Sequence, residues 1–164
     1  MPRSQIYDGK PTPPPANILF VCTGNTCRSP LAEVIARSMF DREPVTFSSA
    51  GTHAVPGTTA TQHARTVARE RSLDLSGHRA RPLEQSEPLD LVLGMEEYHV
   101  DTIRRTCPNL QITRFRCLDE HSTVADPYGC DLDAYRTAAD HIENALTMLL
   151  ADLHEIIADT RERP

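Results

Sequence analysis

Residues 17–30 of this chain read Asn-Ile-Leu-Phe-Val-Cys-Thr-Gly-Asn-Thr-Cys-Arg-Ser-Pro, and they leave little freedom to what surrounds them. Asn17–Val21 is a short apolar run with the character of a buried strand. The apolar periodicity of a helix (Leu31, Val34, Ile35, Met39) begins directly after Pro30. A strand, a tight loop and a helix N-terminus in this order make an anion site. The loop amides and first helical N–H groups have no backbone partner, and the helix dipole adds partial positive charge there.

Each residue of the loop has a physical role if the anion is a phosphoryl group. Gly24 is free to take positive φ and Asn25 tolerates it, so the backbone is expected to curl with its N–H groups inward. Arg28 offers a planar fork of donors that matches two phosphate oxygens. Pro30 suits a first helical turn, where its missing N–H costs nothing. Cys22 stands where amides and a guanidinium converge, the setting of a nucleophilic thiolate. Ser29 is placed to donate to that sulfur, at rest and when it departs in a second step. The bland alternative is a strand–helix turn with an inert cysteine.

The stretch Val-Cys-Thr-Gly-Asn-Thr-Cys-Arg-Ser-Pro resembles the signature of the low-molecular-weight protein tyrosine phosphatases, a Cys-x5-Arg-Ser loop near the N-terminus. A bare Cys-x5-Arg arises by chance; the Gly, Asn, second Cys, Ser and Pro make the pattern specific. The resemblance spans about Asn17 to Leu153. It implies a protein phosphatase working through a cysteinyl phosphate on Cys22, with Arg28 and the loop Thr23, Gly24, Asn25, Thr26, Cys27 and Ser29 around the phosphate. Arg28 and the amides supply the charge stabilisation, so neither metal nor cofactor is expected. The family's second loop cysteine is Cys27, near enough to Cys22 for a reversible disulfide that shields the nucleophile. The alternative for Cys27 is a small packing residue.

Composition bounds the remaining choices. A chain of 164 residues is most simply one domain with a sizeable core. The net charge of −6 repels phosphate backbones and argues against a nucleic-acid partner. No apolar run approaches the ~20 residues of a membrane span, and no signal-peptide core precedes Asn17. A cytoplasmic monomer without a membrane partner is expected. The cysteines at 22, 27, 107, 117 and 130 show no paired spacing and read as reduced thiols. Residues 1–16, with Pro2, Pro11, Pro13, Pro14 and Pro15, read as an extended arm before a single domain at 17–157 and a tail at 158–164.

Strands and helices alternate along the domain. Ser29–Asp41 is expected as the first helix and Val45–Ser49 as a half-exposed strand, followed by a Ser49-Ala50-Gly51 turn that resembles the family's. A second helix is expected from Gly57 to Thr59 onward, with Ala60, Ala64, Val67 and Ala68 inward. Ser76–Leu83 is basic and also resembles a family segment; structural hydrogen bonding explains it better than phosphate binding. Leu89–Leu93 reads as a buried strand, Met95–Thr106 as a helix ended by Pro108, and Leu110–Phe115 as a weaker strand. After a long loop, Asp133 to about Ile157 is a helix capped by Asp131 or Asp133. The alternation implies an α/β fold, a doubly wound parallel sheet with helices on both faces, and the resemblance implies four strands. In such sheets ligands bind at the carboxyl ends of strands, where Cys22 lies.

Departure of an alkoxide, phenoxide or amine needs a proton donor. The long loop offers Asp126-Pro127-Tyr128-Gly129. In the family an Asp-Pro pair on a late loop supplies the general acid and the next aromatic walls the pocket. The resemblance therefore casts Asp126 as the acid, then as the base for the hydrolytic water, and Tyr128 as a wall. None of the seven histidines neighbours the signature, and none is given a catalytic role.

The substrate turns on Thr26, where tyrosine-directed members usually carry a bulky aliphatic residue. Thr26 offers a hydroxyl oxygen and Asp126 a carboxylate to planar N–H groups, and Thr at this place resembles the family's arginine phosphatases. Protein phosphoarginine is the favoured substrate and phosphotyrosine the alternative. An arsenate reductase would need two more redox cysteines after the second helix, yet residues 60–100 contain none. A non-catalytic phospho-binding module would be expected to lack Cys22, Arg28 or Asp126, and all are present.

Overall fold

A computed structural model describes residues 14–84, 88–108, 110 and 114–161. Strands β1 (Ala16–Cys22), β2 (Val45–Gly51), β3 (Leu91–Gly94) and β4 (Arg114–Cys117) alternate with helices α1 (Arg28–Met39), α2 (Gln62–Glu70), α3 (Glu97–Thr106) and α4 (Leu132–Arg161). The strands form one parallel sheet in the order β2-β1-β3-β4. The first thirteen residues of the proline-rich arm, and residues 162–164 of the tail, lie outside the described residues.

The central strand shows why its sequence is apolar throughout. Side chains alternate across a strand. Ile18 and Phe20 enter the core beneath α1, α2 and α4, while Leu19 and Val21 enter a second core with Ile103 of α3. Both faces of the sheet are thus covered, as a parallel sheet requires. Fully burying each such side chain contributes on the order of 1.5–3 kcal/mol. On α4 the periodic residues Tyr135, Ala138, Ile142, Ala145, Leu149, Leu153 and Ile156 are all buried. Asp131 caps this helix, its Oδ1 accepting the Ala134 N–H at 3.0 Å. No helix among the described residues is long and apolar enough to cross a membrane.

Several boundaries differ from the sequence expectation: α4 runs on to Arg161, into the expected tail at 158–164, and β2 continues through the expected Ser49-Ala50-Gly51 turn. Helix α2 starts at Gln62 rather than at 57–59, because Thr61 accepts the Ala64 N–H and Thr59 instead bridges to Arg79. Glycine 57, at φ +84°, belongs to the turn before it. Strand β4 is Arg114–Cys117, offset from the expected 110–115, and residues 111–113 lie outside the described residues. As an edge strand it is only half-buried, which weakens its apolar pattern.

Register brings the carboxyl ends of three strands together: Cys22 pairs with Gly51, and Val21 with Gly94. Both glycines are needed for close approach. A Cβ on Gly51 would lie 2.6 Å from the Thr23 carbonyl oxygen and 3.0 Å from the Asn25 nitrogen. The loop after β1 therefore presses against the end of β2, and a side chain there would push it away.

Candidate active site

The loop from Cys22 to Arg28 is stitched to its neighbours by backbone bonds. Thr52 N donates to Cys22 O and His53 N to Thr23 O, each at 2.9 Å. The positive φ that curls it falls on Asn25 (+54°) and not on Gly24. Asn25 is fully buried. Its Oδ1 accepts the Arg81 N–H at 3.0 Å and its carbonyl is 2.7 Å from His78 Nε2. Its Nδ2 donates to Ser29 Oγ (2.9 Å) and Ser49 Oγ (3.0 Å). These bonds hold a side-chain-bearing residue in the left-handed region that would otherwise cost about 1 kcal/mol or more. The Ser76–Leu83 segment thus serves the loop through structural hydrogen bonds, as expected.

Ser29 Oγ lies 3.0 Å from Cys22 Sγ, the contact anticipated from the sequence. Arg28 opens α1 and is nearly buried. Its Nη1 donates to Glu96 Oε1 at 2.5 Å and to Val124 O at 2.9 Å. Its Nη2 is 3.2 Å from Asp126 Oδ2. The Asp126 carboxylate is half-exposed, and its Oδ1 accepts the Tyr128 N–H at 3.2 Å. Val124, completely buried, anchors this loop by donating to Met95 O at 3.1 Å.

Sequence reasoning missed Glu96, which orients the guanidinium, and His99. The Nδ1 of His99 accepts the Glu96 N–H at 3.1 Å, so Nε2 carries the proton and donates to Thr23 Oγ1 at 2.9 Å. Burial, reinforced by the Arg28 charge, pushes this imidazole down to about 4 and keeps it neutral. The available signal was position: both residues follow β3 directly, at the ligand end of the sheet.

A cavity of about 360 Å³ opens over the loop. Cys22, Thr23, Gly24, Thr26, Cys27 and Arg28 line it, with Asp126 and Tyr128 from the late loop. Asn25 and Ser29 stay behind the loop. His53, Val55, Thr58, Thr59 and Thr61 complete the wall, and none was expected there. The His53 ring stacks on Tyr98 with centroids 6.4 Å apart. Cys27 Sγ sits 3.3 Å from Tyr135 OH and 3.6 Å from Thr61 Oγ1, and burial pushes its thiol up. A thiol, a guanidinium and a carboxyl group thus meet at one cavity, an arrangement suited to nucleophilic attack on a tetrahedral anion with proton transfer to the departing group.

The family model described as low molecular weight phosphotyrosine protein phosphatase matches residues 17–159. The chain is 37% identical over 145 residues to the protein-arginine-phosphatase of Bacillus subtilis, an alignment covering 84% of this chain and 96% of that protein. It is 33% identical over 133 residues to the low molecular weight protein-tyrosine-phosphatase Etp of Escherichia coli, covering 79% and 88% respectively. A solved structure of the YwlE arginine phosphatase, a cysteine-to-serine mutant with a phosphorylated active-site serine, matches at 35% identity with TM-score 0.78, covering 85% of this chain and 96% of that one.

Proposed function

We propose that this chain, which belongs to the low molecular weight phosphotyrosine protein phosphatase family and is a cysteine-dependent protein phosphatase, hydrolyses phosphoarginine in proteins by way of a phosphoryl group carried on Cys22. The loop amides and the Nη2 side of the Arg28 guanidinium, where the phosphoryl group competes with Asp126, take the phosphoryl oxygens. Glu96 and Val124 already occupy Nη1, which supports this orientation of the fork. The Cys22 thiolate attacks phosphorus as the bond to the leaving nitrogen or oxygen breaks. Asp126 gives its proton to that atom. The carboxylate then takes a proton from water, whose oxygen attacks the phosphocysteine. Inorganic phosphate leaves, and the Ser29 hydroxyl receives the returning thiolate.

Phosphoarginine is favoured by one observation: Thr26 and Asp126 line the same cavity, so a hydroxyl oxygen and a carboxyl oxygen are both available to accept from a guanidinium. The likeness to protein-arginine-phosphatases supports the same reading. The phosphotyrosine alternative is supported by His53, Val55 and Tyr128, which can flank a phenyl ring. Turnover of matched phosphoarginine and phosphotyrosine peptides tests the choice. A kcat/KM higher for phosphoarginine, falling toward phosphotyrosine in Thr26→Ile, upholds it; a parent enzyme preferring phosphotyrosine and indifferent to Thr26→Ile overturns it. We assign the protein to the cytoplasm as a monomer, a compartment that keeps Cys22 reduced.

A further inference from the structure

The wall of the cavity carries a polar ring that the phosphoryl chemistry does not use. His53 lies just past the end of β2, and its backbone N–H donates to the Thr23 carbonyl at 2.9 Å, which ties it to the residue after Cys22. Its side chain lines the cavity yet is exposed to solvent, so it stands at the rim. Cys22, Cys27 and Arg28, at the floor, are all buried. The exposed ring is nevertheless held. It lies parallel to the half-exposed Tyr98 ring, with 6° between the planes and 6.4 Å between the centroids. Its Nδ1 is 3.0 Å from Thr52 Oγ1 and 3.4 Å from Tyr98 Oη.

Two hydroxyls thus converge on one ring nitrogen. A lone pair on Nδ1 accepts from either of them, whereas a proton there would leave the phenol with no acceptor. Nδ1 therefore keeps the lone pair and Nε2 carries the proton. No described hydrogen bond or ion pair uses Nε2. A held N–H donor is left at the rim, where neighbouring side chains offer little: Val55 has no polar atom, and Thr58 gives its proton to Val55 O at 2.8 Å. In a protein substrate the phosphorylated side chain enters the cavity while the polypeptide that carries it stays at the rim, bringing main-chain carbonyls that need donors. We propose that His53 is a substrate-recognition residue: its Nε2–H donates to a main-chain carbonyl of the polypeptide beside the phosphorylated residue, and Tyr98 and Thr52 hold the ring for that contact. Such recognition reads the chain itself and asks for no particular flanking side chain.

This inference rests on the chain acting on proteins, and the test separates the two. Steady-state kcat and KM are measured for a phosphopeptide with uncharged flanking residues and for the same phosphorylated amino acid alone, using whichever of phosphoarginine and phosphotyrosine the parent turns over faster. The ratio of the two kcat/KM values reports contacts to the flanking chain, because effects on the phosphoryl step and on the side-chain pocket cancel. His53→Phe keeps a flat ring for the Tyr98 stack and loses the N–H. It is expected to lower the ratio about five- to tenfold, through a higher KM for the peptide. His53→Gln, whose amide N–H reaches a similar place, is expected to hold the ratio within about twofold of the parent. Tyr98→Ala releases the ring and is expected to lower the ratio about twofold or more. A ratio unchanged in His53→Phe, or lowered equally in His53→Phe and His53→Gln, overturns the proposal. A parent enzyme that turns over the phosphorylated amino acid but not the phosphopeptide overturns the reading of the chain as a protein phosphatase.

Discussion

Arg28 Nη2 and Asp126 Oδ2 stand 3.2 Å apart, across the mouth of the cavity over the Cys22 loop. The cation proposed to bind phosphate and the acid proposed to release the leaving group therefore meet before any substrate enters. An incoming phosphoryl dianion competes with the Asp126 carboxylate for the same guanidinium.

Asp126→Asn removes the donor and the competing charge together. Turnover of substrates with poor leaving groups is expected to fall about a hundredfold, and that of activated aryl phosphates by much less. Vanadate or phosphate should inhibit this variant at least as strongly as the parent. Steady-state kinetics on both substrate types checks this, and an equal loss on both would rule out general acid catalysis.

Cys22→Ser leaves the amides and Arg28 in place but supplies a poor nucleophile. Activity is expected to drop by about a thousandfold or more, with phosphate binding retained. Calorimetric titration with a phosphate analogue distinguishes this from unfolding.

Glu96→Gln removes the nearer of the two carboxylates paired with a nearly buried guanidinium. The fork loses its fixed orientation, and kcat/KM is expected to fall about tenfold. The loss should appear on phosphoarginine and phosphotyrosine peptides alike, since Arg28 meets the phosphoryl group common to both. A selective loss on one substrate would place Glu96 in recognition instead.

His99 links stability to pH. Its folded pKa is lowered to about 4 from an ordinary 6.5. Between those values the unfolded chain binds a proton that the native protein refuses. The stability it confers is therefore complete above pH 6.5, is lost as pH falls toward 4, and amounts to about 3 kcal/mol over that window. Denaturant titrations at pH 7 and 4.5 measure the slope, which His99→Gln should flatten by about one proton.

What the sequence discloses here, it discloses through local chemistry. Strand β1, the Cys22 loop, the α4 stripe and the Asp126-Pro127 pair are each contained in one contiguous segment. The Ser29 contact with Cys22 was legible because both belong to the same turn. Glu96 and His99 were not, because they reach Arg28 and Thr23 only once β3 has paired with β1. The His53 wall depends likewise on β2 lying beside β1. Positive φ at Asn25 rather than Gly24 is decided by four partners, from two distant segments and from the loop itself, and no local propensity reports them.

The account stands on the passage of phosphate through Cys22, and a rapid-quench experiment observes it directly. The parent enzyme is mixed with a phosphoarginine peptide, stopped in acid within the first turnover, and digested for mass spectrometry. One phosphoryl group on the fragment containing Cys22, appearing as the free arginine peptide forms and disappearing as phosphate is released, is the predicted result. Turnover with no adduct, or with the phosphoryl group on any other side chain, would contradict it.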